Sequence, residues 1–182
     1  MLHLVSGNIV IMSKSIILQS ERLVQNYYCE DDFNGLFDIV SNKNIMKYVF
    51  NGPVTEAGFN SFIDLHFAKF PNSIGLGVLK LKTSKEIIGF SGMHKLTLGN
   101  EEKVEIGFVI HAPFQKKGYG LEIGLSQLAY LKSAGYNDAF ATVHPENLDS
   151  LRLVENKLLM QKTPIENAFK DRGERILFKK VL

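Results

Sequence analysis

The hexapeptide Gln115-Lys116-Lys117-Gly118-Tyr119-Gly120 constrains this chain more than any other stretch. It joins a strand-like run, Lys103 to Ile110, to a helix-like run opening at Leu121. A chain that passes from strand to helix through glycines leaves several backbone N–H groups unbonded at the positive end of the helix dipole. Such a turn is suited to holding phosphate. Gly118 and Gly120 lack the Cβ that would keep a pyrophosphate at a distance, and Lys116 and Lys117 add positive charge at the same edge. The pattern also fits an ordinary glycine-containing turn, so the flanking segments have to decide.

Upstream, Ile16-Ile17-Leu18 and Leu23-Val24 read as an opening strand with a break at Ser20-Glu21. Asp31 and Asp32 then supply a cap and N-terminal charge for a helix with Phe33, Leu36, Phe37 and Val40 at i, i+3, i+4 and i+7, ended by Ser41 to Asn44. After the turn Asn51-Gly52-Pro53, Thr55 caps a second helix that carries Phe59, Phe62, Ile63, His66, Phe67 and Phe70, stopped by Pro71-Asn72. His66 lies on that apolar stripe and reads as a histidine at the edge of the core.

From Ile74 the period becomes extended. Ile74 to Leu81, Glu86 to His94 and Lys103 to Ile110 are three strands in an antiparallel meander. Beyond the glycine turn, Leu121, Leu125, Leu128 and Ala129 give a helix that closes at Gly135. Asp138 to His144 is the next strand, and Asn147 caps a helix whose Leu148, Leu151, Val154 and Leu158 face the core. Two strand–helix units in succession imply a parallel pair inside a mixed sheet. The tail adds a turn at Asp171-Arg172-Gly173 and a strand from Arg175 to Leu182.

At 182 residues, with 45% hydrophobic and 22% charged residues, the chain has the size and balance of one globular domain that needs neither disulfide nor metal to bury a core. A net charge of +2 by itself excludes nothing, but basic runs no longer than two residues argue against a direct nucleic-acid partner. The one cysteine, Cys29, cannot form an intrachain disulfide and points to a reducing, cytoplasmic setting. No apolar run approaches the roughly 18 residues needed to cross a bilayer, so no membrane partner is expected. Residues 1–14 lack the cationic start and cleavage site of a signal peptide and read as an extension, with Met12 a second plausible start, ahead of a domain spanning 15–182.

With these elements in order, the chain resembles the Gcn5-related N-acetyltransferase (GNAT) superfamily, and its local sequences resemble the ribosomal-protein N-terminal acetyltransferase (RimJ/RimL-like) branch. The matching residues are Ser20-Glu21-Arg22-Leu23, Ile87-Ile88-Gly89-Phe90, Glu105-Ile106-Gly107-Phe108, Gln115-x-x-Gly118-x-Gly120 and Pro145-Glu146-Asn147-x-x-Ser150. The resemblance runs from about Ser15 to the C-terminus. It implies an α/β acyl-CoA N-acyltransferase fold: a mixed, mostly antiparallel sheet with a parallel splayed pair and flanking helices. It implies acetyl-CoA as cosubstrate, with its pyrophosphate on the glycine turn and its pantetheine arm beside the strand ending at Ile110. The acceptor it implies is an amine, first of all a protein N-terminus, with a small-molecule amine as the alternative, and a homodimer is left open. The rival from another class is a non-catalytic acyl-CoA-binding module. A P-loop or dinucleotide site is disfavoured, since the turn lacks both the Gly-Lys-Ser/Thr ending and a third glycine.

The chemistry of each part follows from its residues. An amide-bearing arm can pair like an extra strand, which makes the backbone of Phe108, Val109 and Ile110 candidate cofactor contacts. Gln115, Lys116, Lys117, Gly118, Tyr119 and Gly120 are the candidates at the diphosphate. Pro113 ends the strand where the cofactor must bend. Asn147 and Ser150 stand at the mouth of the slot between the diverging strands, though capping alone also accounts for Asn147. Acyl transfer to an amine by direct attack needs a base and a proton source for the thiolate, and no nucleophilic residue or metal. Glu105 is the leading base, with pairing to a lysine as its structural alternative; His94 and His111 are secondary. Many relatives carry a tyrosine acid where Val154 stands here, which leaves Ser150 as the candidate acid. Leu158-Leu159 in place of Gly-Phe and Asn26 in place of arginine also depart from the branch.

Overall fold

The computed structural model describes residues 16–69, 74–163 and 173–182. The expected extension over 1–14, Phe70 with its Pro71-Asn72 stop and the Asp171-Arg172 half of the last turn lie outside the described residues. The chain opens with β1 (Ile16–Gln19) and β2 (Leu23–Asn26), an antiparallel pair closed at Ser20 by its N–H to the Leu23 carbonyl. The helices α1 (Phe33–Val40), α2 (Lys43–Met46) and α3 (Glu56–His66) follow. Next come β3 (Leu76–Leu81), β4 (Ile87–Leu98), β5 (Glu101–Ile110), α4 (Tyr119–Ser133), β6 (Asp138–Val143), α5 (Leu148–Asn156), β7 (Gln161–Lys162) and β8 (Ile176–Val181).

Among the described residues the strands form one eight-stranded sheet in the order β1-β2-β3-β4-β5-β6-β8-β7, with β5–β6 parallel and every other pair antiparallel. The predicted fold class is the observed one. Helices α1, α2 and α3 cover one face, where Leu36, Ile39, Met46, Phe59 and Phe62 pack on Val78, Phe90 and Val109. Helices α4 and α5 cover the other, where Leu128, Leu131 and Val154 pack on Val104, Ile106, Ala141 and Val143, while Ile123 meets Leu23, Leu79 and Ile88. Each such side chain taken fully out of water contributes about 1.5–3 kcal/mol.

Several expectations need correction. Asp32 does not cap α1 with its side chain. A 3-10 turn at Glu30–Asp32 swings its carboxylate inward, where it is 3% exposed and meets Lys80 Nζ at 2.5 Å. The segment after α1 does not simply stop: Asn42 Oδ1 accepts from the N–H groups of Asn44 and Ile45 and starts α2. Thr55 does cap α3, but the helix ends at His66; Phe67 turns extended and bridges to Leu76. The central hairpin is longer than its apolar pattern, running from Ile87 to Ile110 around Gly99-Asn100, because ladder bonds and the Lys95–Glu102 ion pair carry the polar ends. Leu148 does not face the core but is 58% exposed, and Leu158 is buried just past the end of α5 rather than on it. The short strand β7 has no legible apolar pattern at all.

Candidate active site

Along β5, alternation turns Val104, Ile106 and Phe108 toward α4 and Glu105, Gly107 and Val109 toward α1–α3. Its parallel partner β6 pairs with it at one register position, Glu105 with Phe140, and then diverges. From Ile106 to Ile110 no strand among the described residues is paired along that edge of β5, and a slot opens through the sheet. Glu105 stands at the apex of the divergence, 6% exposed. One of its oxygens, Oε1, accepts both the N–H of Thr142 at 3.2 Å and the hydroxyl of Thr142. The carboxylate thus takes up a backbone donor that the parting ladder leaves behind. Sequence reasoning offered a lysine as the alternative partner; among the described residues the structure shows Thr142 on this carboxylate.

The cleft at this point has a volume of about 140 Å³, roughly ten times the space one water needs. It reaches both faces of the sheet. On the α5 side it is lined by Ile106, Phe108, Asn147, Ser150, Leu153 and Val154; on the α2–α3 side by Tyr48, Phe50, His94, His144 and Arg175. His94 is the register partner of Glu105 across β4–β5. The His144 ring lies 4.8 Å from that of Tyr48, and the Phe50 ring 6.1 Å from that of His94. Of the secondary histidines, His94 lines the cleft and His111 does not: it follows the far end of β5 and packs near Phe114 at 6.3 Å. Thr142, Tyr48, Phe50, His144 and Arg175 went unrecognised in the sequence. No motif joins them, since only the divergence of β5 from β6 and the return of the α2–α3 segment bring them together.

Asn147 does act as the cap of α5, accepting from the Ser150 N–H at 3.3 Å, and both residues line the slot. The two alternatives for Asn147 are therefore compatible. Val154, where relatives carry tyrosine, is 5% exposed and packed in the core.

The glycine turn lies at the solvent-facing end of the same edge. Lys116 (φ +60°) and Gly118 (φ +83°) are left-handed on either side of Lys117, an alternation that brings successive N–H groups toward one concave side. The first intrahelical bond of α4 is Glu122 N–H to the Gly118 carbonyl, so the amides of Gly118, Tyr119, Gly120 and Leu121 have no helical acceptor. Gln115 Nε2 donates to the Ile110 carbonyl at 2.8 Å and ties the turn to the end of β5. Gly120 has a packing role as well. A Cβ there would lie 3.1 Å from Phe108 Cε2 and 3.2 Å from Leu153 Cδ2, so its smallness serves the packing of α4.

The Ser20-Glu21-Arg22-Leu23 motif acquires a structural role here. Ser20 Oγ and Arg22 N donate to Glu122 Oε1 at 2.6 and 2.7 Å, and Arg22 Nε donates to Oε2 at 2.6 Å. Arg22 Nη1 donates to the Lys117 carbonyl at 3.1 Å, and the guanidinium sits 4.5 Å from the centre of the Tyr119 ring. Burial pushes the Glu122 carboxyl up, but the bonds from Ser20 and Arg22 together with the guanidinium charge outweigh it and hold the group below the usual carboxylate value.

Comparison with known proteins agrees with this geometry. Residues 22–157, well over half of the chain, match the family described as the acetyltransferase (GNAT) domain. The chain is 28% identical over 139 residues to the uncharacterised N-acetyltransferase YnaD of Bacillus subtilis, spanning 76% of this chain and 79% of that one. A GNAT-family acetyltransferase from Bacillus anthracis superposes with a TM-score of 0.72 at 24% identity, covering 90% of this chain and 97% of the other. The microcin C7 self-immunity acetyltransferase MccE, in complex with acetyl-CoA and AMP, superposes with a TM-score of 0.70 at 16% identity, covering 89% and 93%. With the family matched across both the splayed pair and the glycine turn, the chain belongs to the GNAT acetyltransferases and is an acetyl-CoA-dependent acyltransferase.

Proposed function

We propose that this acyltransferase acetylates the N-terminal amine of a polypeptide, in the manner of the RimJ/RimL-like branch, as a cytoplasmic enzyme with one acetyltransferase domain over residues 15–182. The observation that carries the site assignment is the slot through the sheet, with Glu105 at its apex and the glycine turn at the end of the same strand edge. The exposed cradle at Lys116 to Gly118, with its converging amides, suits a diphosphate. The backbone edge of Phe108, Val109 and Ile110, with Asn147 and Ser150 opposite, suits an amide-bearing arm. Acetyl-CoA bound there supplies an acyl group activated as a thioester.

The chain's own residues do the rest. Glu105, oriented by Thr142, takes a proton from the incoming ammonium directly or through one water, so that the amine is neutral when it attacks. The new C–N bond forms as the C–S bond breaks, and the proton that the amide nitrogen then sheds balances the one the departing thiolate takes up, a transfer for which Ser150, which lines the slot on α5, is the candidate relay. The walls of Tyr48, Phe50, His94 and His144 enclose the acceptor side and limit water there.

A small-molecule amine is the second reading, favoured by the structural likeness to MccE, whose structure holds AMP beside acetyl-CoA. Incubating the protein with acetyl-CoA and, in parallel, a peptide library with free N-termini and a panel of amino sugars, polyamines and aminoacyl nucleotides, with mass spectrometry of products, separates the two. N-terminally acetylated peptides at turnover rates are the expected result. Products confined to small amines would replace the polypeptide acceptor. Slow thioester hydrolysis with no acetylated product in either panel would leave a binding module.

A further inference from the structure

We propose that Arg22 is a positioning residue for the diphosphate site: it neutralises the Glu122 carboxylate and pins the Lys117 carbonyl, so that the turn ahead of α4 can accept an anion. The proposal rests on the coenzyme A assignment of that turn.

The problem it solves is electrostatic. The head of α4 attracts anions through its unpaired amides, yet Glu122 lies in the first turn of this same helix with a side chain only 15% exposed. An unscreened carboxylate there would occupy the helix's positive end itself and repel a diphosphate within the same turn of helix. Arg22 removes that conflict from outside the helix. Its backbone N–H and Nε bind the two carboxylate oxygens, with Ser20 Oγ as a third donor. The side chain then continues past Glu122: Nη1 holds the Lys117 carbonyl back, and Nη2 lies 3.4 Å from where a Cβ on Gly118 would stand. Holding that carbonyl leaves the Gly118 N–H to face the other way, since carbonyl and N–H of one peptide unit point in opposite directions.

The contacts bridge about a hundred residues of sequence. The β1–β2 turn and α4 are therefore mechanically joined at the cofactor turn, and Leu23 beneath it, fully buried against Ile123, anchors the joint in the core. A lysine could supply charge but not the fork that reaches Glu122 and Lys117 together.

Binding of coenzyme A, and of pantetheine as the arm lacking the diphosphate, to the full chain and its variants tests this by calorimetry, or by ligand-observed NMR for the weaker ligand. Arg22→Met is expected to weaken coenzyme A binding roughly tenfold to a hundredfold, the span of a lost charge-assisted bond, and to leave pantetheine within about twofold. Arg22→Met combined with Glu122→Gln should regain most of that loss, because no carboxylate remains to be neutralised. Arg22→Lys, which keeps the charge, should fall between parent and Arg22→Met, and it serves if the methionine variant fails to fold. Equal coenzyme A affinity in parent and Arg22→Met, equal losses for coenzyme A and pantetheine, or a double variant no better than the single one would each overturn the proposal. A parent protein that binds no coenzyme A would instead remove the site assignment beneath it.

Discussion

Replacing Glu105 with glutamine separates the proton-accepting role of this residue from its structural one. Thr142 N–H and Oγ1 both converge on a single oxygen, Oε1, and glutamine keeps an acceptor oxygen at that position. The two bonds persist as neutral ones, each weaker by about 1 kcal/mol than with a carboxylate. Part of that loss is offset because a charge 6% exposed no longer has to be kept from water. A net change of about 0–2 kcal/mol corresponds to a fall in Tm of no more than about 8 °C in a domain of this size. The variant should therefore fold and bind acetyl-CoA like the parent, whereas Glu105→Ala, which leaves the Thr142 donors unsatisfied, should lose about 1–3 kcal/mol more. Turnover is the discriminating measurement. If Glu105 draws the proton from the ammonium, kcat at neutral pH should fall by roughly 10²–10⁴. The deficit should narrow above about pH 8, where a terminal amine is already neutral. Thiol release followed from pH 6 to 10 in parent and variant gives the whole profile. A deficit of the same size at every pH would refute the base role and leave Glu105 as a tie between β5 and β6. Full activity at pH 7 would pass the role to His94 or solvent.

The two glycines of the turn should behave differently. Gly118→Ala places a side chain at φ +83° beside Arg22, at a cost of about 1–2 kcal/mol, and should weaken coenzyme A binding while the protein stays folded. Gly120→Val should instead wedge α4 from Phe108 and Leu153, with about 1–3 kcal/mol lost and a lower Tm without ligand; Tm unchanged in Gly120→Val would contradict the packing role. Acid should undo the Ser20–Arg22–Glu122 clamp. Because the folded-state carboxyl of Glu122 is held below its ordinary value, its stabilisation is complete above the unfolded value of about 4.3 and is lost as pH falls through the folded one. The Tm advantage of the parent over Glu122→Gln should shrink across that window, and an advantage independent of pH would show that the ion pair adds nothing to folding.

The cap at Thr55 and the left-handed glycine turn before α4 were legible in the chain because each depends on contacts a few residues apart, and the parallel pair because two strand–helix units in succession imply one, whereas α2 and β7 were not. Apolar spacing reports a helix face, and a glycine before a helix reports a left-handed cap. The roles within the site were less legible. Gln115 and Gly120 stood out only as candidate cofactor contacts, and nothing in the chain signalled that one also ties the turn to Ile110 and the other also makes room for Phe108 and Leu153. Arg22 was visible only as part of a motif, and Thr142 not at all, although they hold the carboxylates of Glu122 at the glycine turn and Glu105 at the apex of the slot. Such partners lie 37 to 100 residues apart in sequence. Their meeting is decided by sheet order and by the single register position at which β5 and β6 touch before they part. Local periodicity carries no record of register between distant strands, and it is this register that makes Glu105 and Thr142 neighbours at the mouth of the slot.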